Sequence, residues 1–420
     1  VPISESFARR LFPLLDELTN TYPTPFHIYD ERAIVQTHRN VAQAFADSAF
    51  RQYFAVKALP TPAILSLLLK EGSGLDCSSP VELMLAERLG ARGDDIVFTS
   101  NNTSLSEYQM ALQAGALVTF DDRSMLEQVI ALPDIVAFRV SPHGVIARSS
   151  QMGNAQQSKF GIPEAELVQS YREAWDRGAR RFGIHGMMCA NELSLEAAVQ
   201  AGVQVIEVGA RVAREAGIEL EYINIGGGLG IPYRIDDQAL DLTAYADALK
   251  RALKQAFPHN TPKLLMELGR YISGPHGVLV SRVINRCSKG REIVGLDASM
   301  SALMRPGLYG AYHHLTLPFA DQRPEGVFDV VGALCENFDK FAVDRLLPSP
   351  LIGDLALIHD TGAHGHAMGF TYNGRLRPAE LMLTDDGDVV EIRRAETFDD
   401  HTGPIQWQPV DVFNPTRCVK

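Results

Sequence analysis

What the chain lacks narrows the reading before any motif is considered. Cysteine is scarce: Cys77, Cys189, Cys287, Cys335 and Cys418 are scattered over 420 residues with no C-x-x-C pair. That spacing fits reduced thiols and argues against a disulfide framework or a zinc ribbon. Positive charge is in deficit, with 39 Lys and Arg against 51 Asp and Glu, a formal net charge of -12 and an isoelectric point near 5.5. Nucleic acid and anionic membrane both reward basic patches, so neither is expected as a main partner. No run of about 18 apolar residues stands out, and no apolar signal core opens the chain, so the reading is a cytoplasmic chain without a membrane span. Internal repeats, low-complexity segments and long charge runs are likewise missing. His313, His314, His364 and His366 could offer imidazoles, but no carboxylate or cysteine stands at ligand-like spacing, and no metal is expected.

What is there is an ordinary globular composition, 46% hydrophobic and 21% charged, on a chain long enough for two cores. Short apolar runs recur through the first two thirds: YFAVK (53–57), LDCS (75–78), IVFTS (96–100), LVTFDD (117–122), IVAFRVSP (135–142), RFGIHGMM (181–188), YINIGGG (222–228) and LLMELG (264–269). Between them lie stretches of helical spacing such as AILSLLLKEG and LSEYQMALQAG, several closed by a glycine. About eight strand-helix units predict a (β/α)₈ barrel over 27–270; a doubly wound open sheet would rarely need so many. Beyond residue 270, β-branched runs broken by Gly, Pro and Asp predict a mainly antiparallel, sandwich-like β domain, formed by 271–420 together with 1–26. The polar segment 143–160 reads as a long loop of functional or mobile character.

Several residues could carry chemistry. Lys57 ends the first strand, where barrels place reactive groups, and an ammonium there loses hydration unless it is paired or used; a capping surface lysine is the plain alternative. Gly226, Gly227 and Gly228 end the seventh strand, either as a flexible turn or as a phosphate nest. Glu267 and Arg270 end the eighth, as a salt bridge or as a carboxylate that keeps a heteroaromatic nitrogen protonated. Cys335 and Glu336 lie in the β domain, where a buried thiol beside a surface acid is the common arrangement.

The segments FAVKA, INIGGGLGIPY, ELGRYISGP, LMRPGLYGAYHH, LCENFDKF and DTGAHGHAMGFTYNGRLRPAEL occur in an order that resembles, over nearly the full length, the alanine-racemase-like barrel decarboxylases, the group of diaminopimelate, ornithine and arginine decarboxylases. SKFG (158–161), LMRPGLYGAYHH and the Cys335-Glu336 pair look most like the diaminopimelate branch. The resemblance implies a Schiff base between Lys57 and pyridoxal 5'-phosphate. It further implies Glu267 on the pyridine nitrogen, Gly226, Gly227, Gly228, Gly269 and Arg270 near the phosphate, and Asp76, His185 and His364 among the cofactor contacts. Ser158, Arg270, Arg305, Tyr309 and Glu336 fall to the substrate. Cys335, the implied proton donor, and Glu336 would act in the neighbouring subunit of a homodimer with shared sites. The implied reaction is decarboxylation of meso-2,6-diaminopimelate to L-lysine.

The sequence departs from that family in two places. Where relatives have H-x-H-I-G-S, this chain reads His185-Gly186-Met187-Met188-Cys189-Ala190, which puts Met187 where a histidine stacks on the cofactor and Ala190 where a serine nears its phosphate. Where relatives have a tyrosine after DTGA, His364 stands. These changes keep open a decarboxylase of another amino acid with a modified far end, such as a siderophore or antibiotic intermediate. A cofactor-carrying binding protein and a racemase are the further alternatives.

Overall fold

The computed structural model describes residues 3–141 and 158–405. Strand β1 (Phe26–Asp30) precedes a closed barrel of eight parallel strands: β2 (Phe50–Ala55), β3 (Gly74–Cys77), β4 (Ile96–Thr99), β5 (Leu117–Phe120), β6 (Val136–Val140), β7 (Phe182–Gly186), β8 (Leu220–Asn224) and β9 (Lys263–Leu268). All eight fall where the apolar runs predict them. The connecting helices start at side-chain caps that take an orphan backbone donor, such as Ser79 for Pro80–Arg88, Ser104 for Leu105–Gln113 and Asp241 for Leu242–Ala256. Most of the segment 143–160 lies outside the described residues.

The barrel interior is layered. Tyr53, Val97, Ala137, Tyr222 and Leu265 form an apolar cluster separate from the larger core between strands and helices. Strand residues two apart share a face, so the next layer toward the C-terminal ends holds Thr99, Arg139, Asn224 and Glu267, joined by Asp76, Asp121 and His185 on the neighbouring strands. All of these are buried. The barrel therefore changes from apolar to polar over a single step of the pleat.

The remaining strands are β10 (Gly277–Ser288), β11 (Glu292–Leu296), β12 (Leu315–Thr316), β13 (Glu325–Val331), β14 (Lys340–Pro348), β15 (Leu355–Ile358), β16 (Ala379–Leu383) and β17 (Val389–Arg393). They form a mainly antiparallel sheet in the order β14-β13-β11-β10-β1-β16-β17, with β15 beside β10 and β12 beside β15. The expected boundary at residue 27 falls inside β1, which pairs antiparallel with β10 and parallel with β16. Phe7, Leu11, Leu15 and Leu18 of the N-terminal helices pack on the same sheet, so the segment before the barrel belongs with the residues after it.

One buried carboxylate ties the two units together. Glu380 on β16 is fully buried and accepts from Tyr29 Oη at 2.6 Å, from Arg393 Nε, and from Thr61 Oγ1 at 2.9 Å. Thr61 starts the barrel helix Pro62–Lys70, just beyond Lys57. Removing one partner of a buried pair strands the others, at a cost of about 3–5 kcal/mol. Glu380→Ala should therefore lower the calorimetric unfolding midpoint, and a loss under about 0.5 kcal/mol, as at an ordinary surface site, would show that the units are joined elsewhere.

Candidate active site

The polar layer and the loops above it enclose a cavity lined by Lys57, Asp76, Met187, Ala190, Asn191, Gly228, Glu267, Gly269, Arg270 and His364. Lys57 sits in a single turn of 3₁₀ helix, Val56–Ala58, directly after β2, and its side chain is half exposed to this space. Its Nζ lies 3.1 Å from Asp76 Oδ2, and Asp76 Oδ1 is buried with no partner among the described residues. The Asp76 charge, with help from Glu267, raises the Lys57 pKa against the opposing effect of burial.

Glu267 is the best-furnished group of the layer. Its Oε1 accepts from Asn224 Nδ2 at 2.7 Å and Thr99 Oγ1 at 3.1 Å, and its Oε2 lies 3.2 Å from His185 Nε2. Burial pushes this carboxyl up, but the His185 ring, the Lys57 ammonium and the Asn224 amide outweigh it and hold Glu267 well below the ordinary range. Asp76 shifts the other way: burial and the Glu267 charge drive it up, and Lys57 restores only part. Of the two buried carboxyls around one lysine, Glu267 is thus the more firmly held as the anion, and Asp76 keeps its charge through its pairing with Lys57. A carboxylate has about four lone-pair sites, so Glu267 can still accept one more donor through Oε2.

The glycine run follows β8. Gly226 and Gly228 have φ of +66° and +104°, which side chains rarely tolerate. The Gly226 N–H goes to Asn224 Oδ1 at 2.9 Å, while those of Gly227 and Gly228 meet no acceptor among the described residues. A Cβ on Gly227 would collide with the Glu267 carbonyl and one on Gly228 with the Cys189 carbonyl. The divergent segment after β7 lies against this run: Glu192 N–H donates to the Gly228 carbonyl at 2.9 Å, and Gly230 N–H to the Glu192 carbonyl at 2.8 Å.

Arg270 Nη1 and Arg305 Nη1 both donate to Tyr233 Oη, at 2.6 and 2.7 Å. His313 Nδ1 donates to the His359 carbonyl at 2.7 Å, so its Nε2 accepts from Arg305 at 3.0 Å. Arg305 is buried, and its Nη2 has no partner among the described residues. Burial, with Arg270 beside it, lowers the guanidinium's pKa although Tyr233 acts in the other direction.

Of the residues singled out from the sequence, Lys57, Asp76, Gly228, Glu267, Gly269, Arg270 and His364 meet in one cavity. His185 lies beneath it, spent on Glu267. Ser158 is not in the cavity lining; its Oγ accepts from the Phe160 N–H at 3.2 Å, and Phe160 packs under the Arg139 guanidinium at 4.4 Å. Tyr309, Cys335 and Glu336 are exposed on the β domain, outside the cavity lining of their own chain. Thr99, Asn224 and Tyr233 escape the sequence reading. A signal for the first two was present, since each stands two residues beyond an apolar position facing the barrel interior. Among the described residues no group of three or more His, Cys, Asp and Glu is placed to hold a metal ion, and no helix is long and apolar enough to cross a membrane.

A family model described as "Pyridoxal-dependent decarboxylase, pyridoxal binding domain" matches residues 31–274. The chain belongs to the pyridoxal-dependent decarboxylases. It is 35% identical to diaminopimelate decarboxylase of Methanothermobacter thermautotrophicus, covering 91% of this chain and 92% of the relative, and 33% identical to that of Thermoplasma acidophilum, covering 93% and 95%. Among solved structures, diaminopimelate decarboxylase of Helicobacter pylori complexed with L-lysine superposes with a TM-score of 0.84 at 29% identity, covering 93% of this chain and 98% of the other. The M. jannaschii diaminopimelate decarboxylase gives 0.85 at 28% identity, covering 95% and 94%.

The residues present fit the cofactor of this family. Pyridoxal phosphate needs an amine for its aldehyde, an anion for its ring nitrogen and unobstructed donors for its phosphate. The cavity offers Lys57, the remaining capacity of Glu267, and the bare N–H groups of Gly227 and Gly228. Glu267→Gln keeps the shape and removes the charge. This substitution should retain the bound-cofactor absorption band while slowing turnover about 100-fold or more, the scale for losing a preorganised charge; unchanged turnover would assign the ring nitrogen to another group.

Proposed function

We propose that the chain decarboxylates meso-2,6-diaminopimelate to L-lysine and CO₂ as a homodimer with shared sites, in the cytoplasm. The observation that carries this reading is the placement of Arg270 and Arg305 around Tyr233, at the edge of a cavity that also holds Lys57 and Glu267. An amine anchor beside two guanidiniums suits an amino acid whose far end carries a second carboxylate, because the guanidinium fork can take both oxygens. The relatives reported above, one of them complexed with L-lysine, support the same choice. The free thiols Cys77, Cys189, Cys287 and Cys335 are in keeping with a reducing compartment.

Bound here, pyridoxal phosphate supplies the electron sink for the pair left at Cα when CO₂ departs. Lys57 would hold it through its aldehyde. Glu267 would supply the negative charge its ring nitrogen needs, with His185, Asn224 and Thr99 fixing that carboxylate's orientation. Gly226, Gly227, Gly228 and Gly269 admit the phosphate. Arg270, Arg305 and Tyr309 read the distal carboxylate, and Ser158 is a further substrate contact. Cys335 returns a proton to Cα, and Glu336 reads the distal amine.

Those last two residues act from the second subunit in this reading. On their own chain, Cys335 and Glu336 sit on an exposed turn whose Cys335 N–H is fixed by Asn373 Oδ1 at 2.7 Å. Around them Leu308, Tyr309, Phe338 and Tyr372 are all about half exposed or more, Phe338 at 68%. Exposed large apolar side chains of that kind suit a protein interface. A second copy supplies one that also completes the site.

The divergent wall of Met187 and Ala190 favours one other reading, a decarboxylase for an amino acid with a modified far end. Assaying lysine and CO₂ from diaminopimelate, beside ornithine, lysine and arginine, separates the two, and no lysine from diaminopimelate sinks the first. Cys335→Ala should bind cofactor normally and turn over about 10²–10⁴-fold more slowly, the range for losing a general acid. Mixing Lys57→Ala subunits with Cys335→Ala subunits should restore turnover, whereas two inactive variants that stay inactive together would place Cys335 and Lys57 in the same chain's site.

A further inference from the structure

The roles proposed above leave one imidazole in the cavity without a chemical task. His364 arrives on the 360–366 loop of the β domain, held by its backbone. Its φ is +56°, its N–H donates to the Ala58 carbonyl at 2.8 Å, and Gly362 packs so closely on the Ser273 carbonyl that a Cβ would collide. Its side chain lines the cavity with Lys57, Gly228, Gly269 and Arg270. The charged groups facing it are Lys57 after β2, Arg270 after β9 and Arg305 on the helix Arg305–Tyr309. Asp76 and Glu267 complete the cavity's charges, the first already paired with Lys57. Arg305 keeps its buried Nη2 unpartnered, a donor in want of an acceptor.

Resting on the reading that this cavity takes a phosphorylated cofactor and a dicarboxylate, we propose that His364 takes up a proton when an anionic oxygen group, phosphate or carboxylate, settles beside it. Burial, then Arg270, Arg305 and Lys57, hold the imidazole well below its ordinary pKa, so it is neutral at pH 7 before the anion arrives. An anion between those cations reverses the local potential and makes the imidazolium the favoured form. The sign follows. Below the depressed pKa the ring is protonated with or without the anion, and affinity is highest. Between the depressed and the raised pKa affinity falls by about tenfold per pH unit, and above the raised pKa it falls no further. A phenol, with an ordinary pKa of about 10, would not respond over this range, so histidine here makes anion retention proton-linked.

The test needs no turnover, so its failure is distinct from a wrong substrate. Calorimetric titration of the cofactor-stripped full chain, in buffers of different ionisation enthalpy, counts protons taken up on binding pyridoxal phosphate or pyridoxal. The loaded enzyme is then titrated with pimelate or heptanoate, which differ by one carboxylate and carry no amine, so neither can turn over. Extra uptake with pyridoxal phosphate over pyridoxal, absent in His364→Gln and His364→Tyr, would place the phosphate beside His364. Extra uptake with pimelate over heptanoate, absent in the same variants, would place the distal carboxylate there instead. The phosphate's own second ionisation, near pH 6, is common to wild type and variants and cancels. Equal uptake in every pair, or a difference that survives both substitutions, overturns the proposal. Should the variants fail to bind, equal uptake for pyridoxal phosphate and pyridoxal and for pimelate and heptanoate in the wild type overturns it alone.

Discussion

The site depends on keeping one carboxylate charged inside a protein. A buried anion without partners would neutralise itself by taking a proton. Glu267 escapes that fate because three other strands each present one donor at the same height: Thr99 from β4, His185 from β7 and Asn224 from β8. Only a closed parallel barrel brings four strand ends to one ring with their side chains converging. The apolar cluster one step below keeps that ring out of contact with water from the other end. Fold and charge state are thus one problem: the barrel is the scaffold that makes an ionised Glu267 tolerable, and an ionised Glu267 is what gives the cavity a use for its lysine.

The second constraint is backbone proximity. Gly226, Gly228 and Gly230 lie so close to residues 186–192 that a side chain is excluded at every second step: Gly226 meets Met187, Gly228 meets Cys189, and Gly230 meets Glu192. The joint is made by main-chain hydrogen bonds at Gly228, Glu192 and Gly230. This explains how the segment after β7 can diverge without loss of the loop. Main-chain bonds hold the shape, and Met187 and Ala190 contribute only the wall they turn to the cavity. Methionine suits a wall against a flat ring, since its sulfur is polarizable and its chain adapts.

Much of this was legible in the sequence because strand ends carry the chemistry and strands announce themselves by β-branched runs. The eight barrel strands, Lys57, the glycine run and Glu267 all follow from that rule. Asn224 and Thr99 were passed over because an amide and a hydroxyl at a strand end look like turn residues; their meaning comes from the carboxylate they face, 43 and 168 residues away in the chain. Tyr233 was missed for a similar reason, as its hydroxyl gains significance only when Arg270 and Arg305 converge on it. The position of β1 was hidden because Phe26–Asp30 pairs with strands more than 240 residues later, and its five buried residues read like any inner strand.

The same long-range pairing explains why the barrel cannot be considered apart from the β domain. With β1 built into the second sheet and Glu380 gripping Thr61, the 360–366 loop is fixed relative to the barrel mouth at both of its ends. β15 runs beside β10 ahead of it, and β16 runs beside β1 after it. His27 of β1 adds a third restraint: its Nε2 donates to the Ala302 carbonyl at 3.1 Å, and its Nδ1 accepts from Thr361 at 3.2 Å. A loop so restrained can hold His364 in a left-handed conformation that a free loop would shed. The β domain therefore contributes to its own chain's cavity through a rigid element. The exposed Cys335-Glu336 turn lies outside that cavity's lining, so it is through the 360–366 loop, and not through that turn, that the β domain serves the barrel of its own chain.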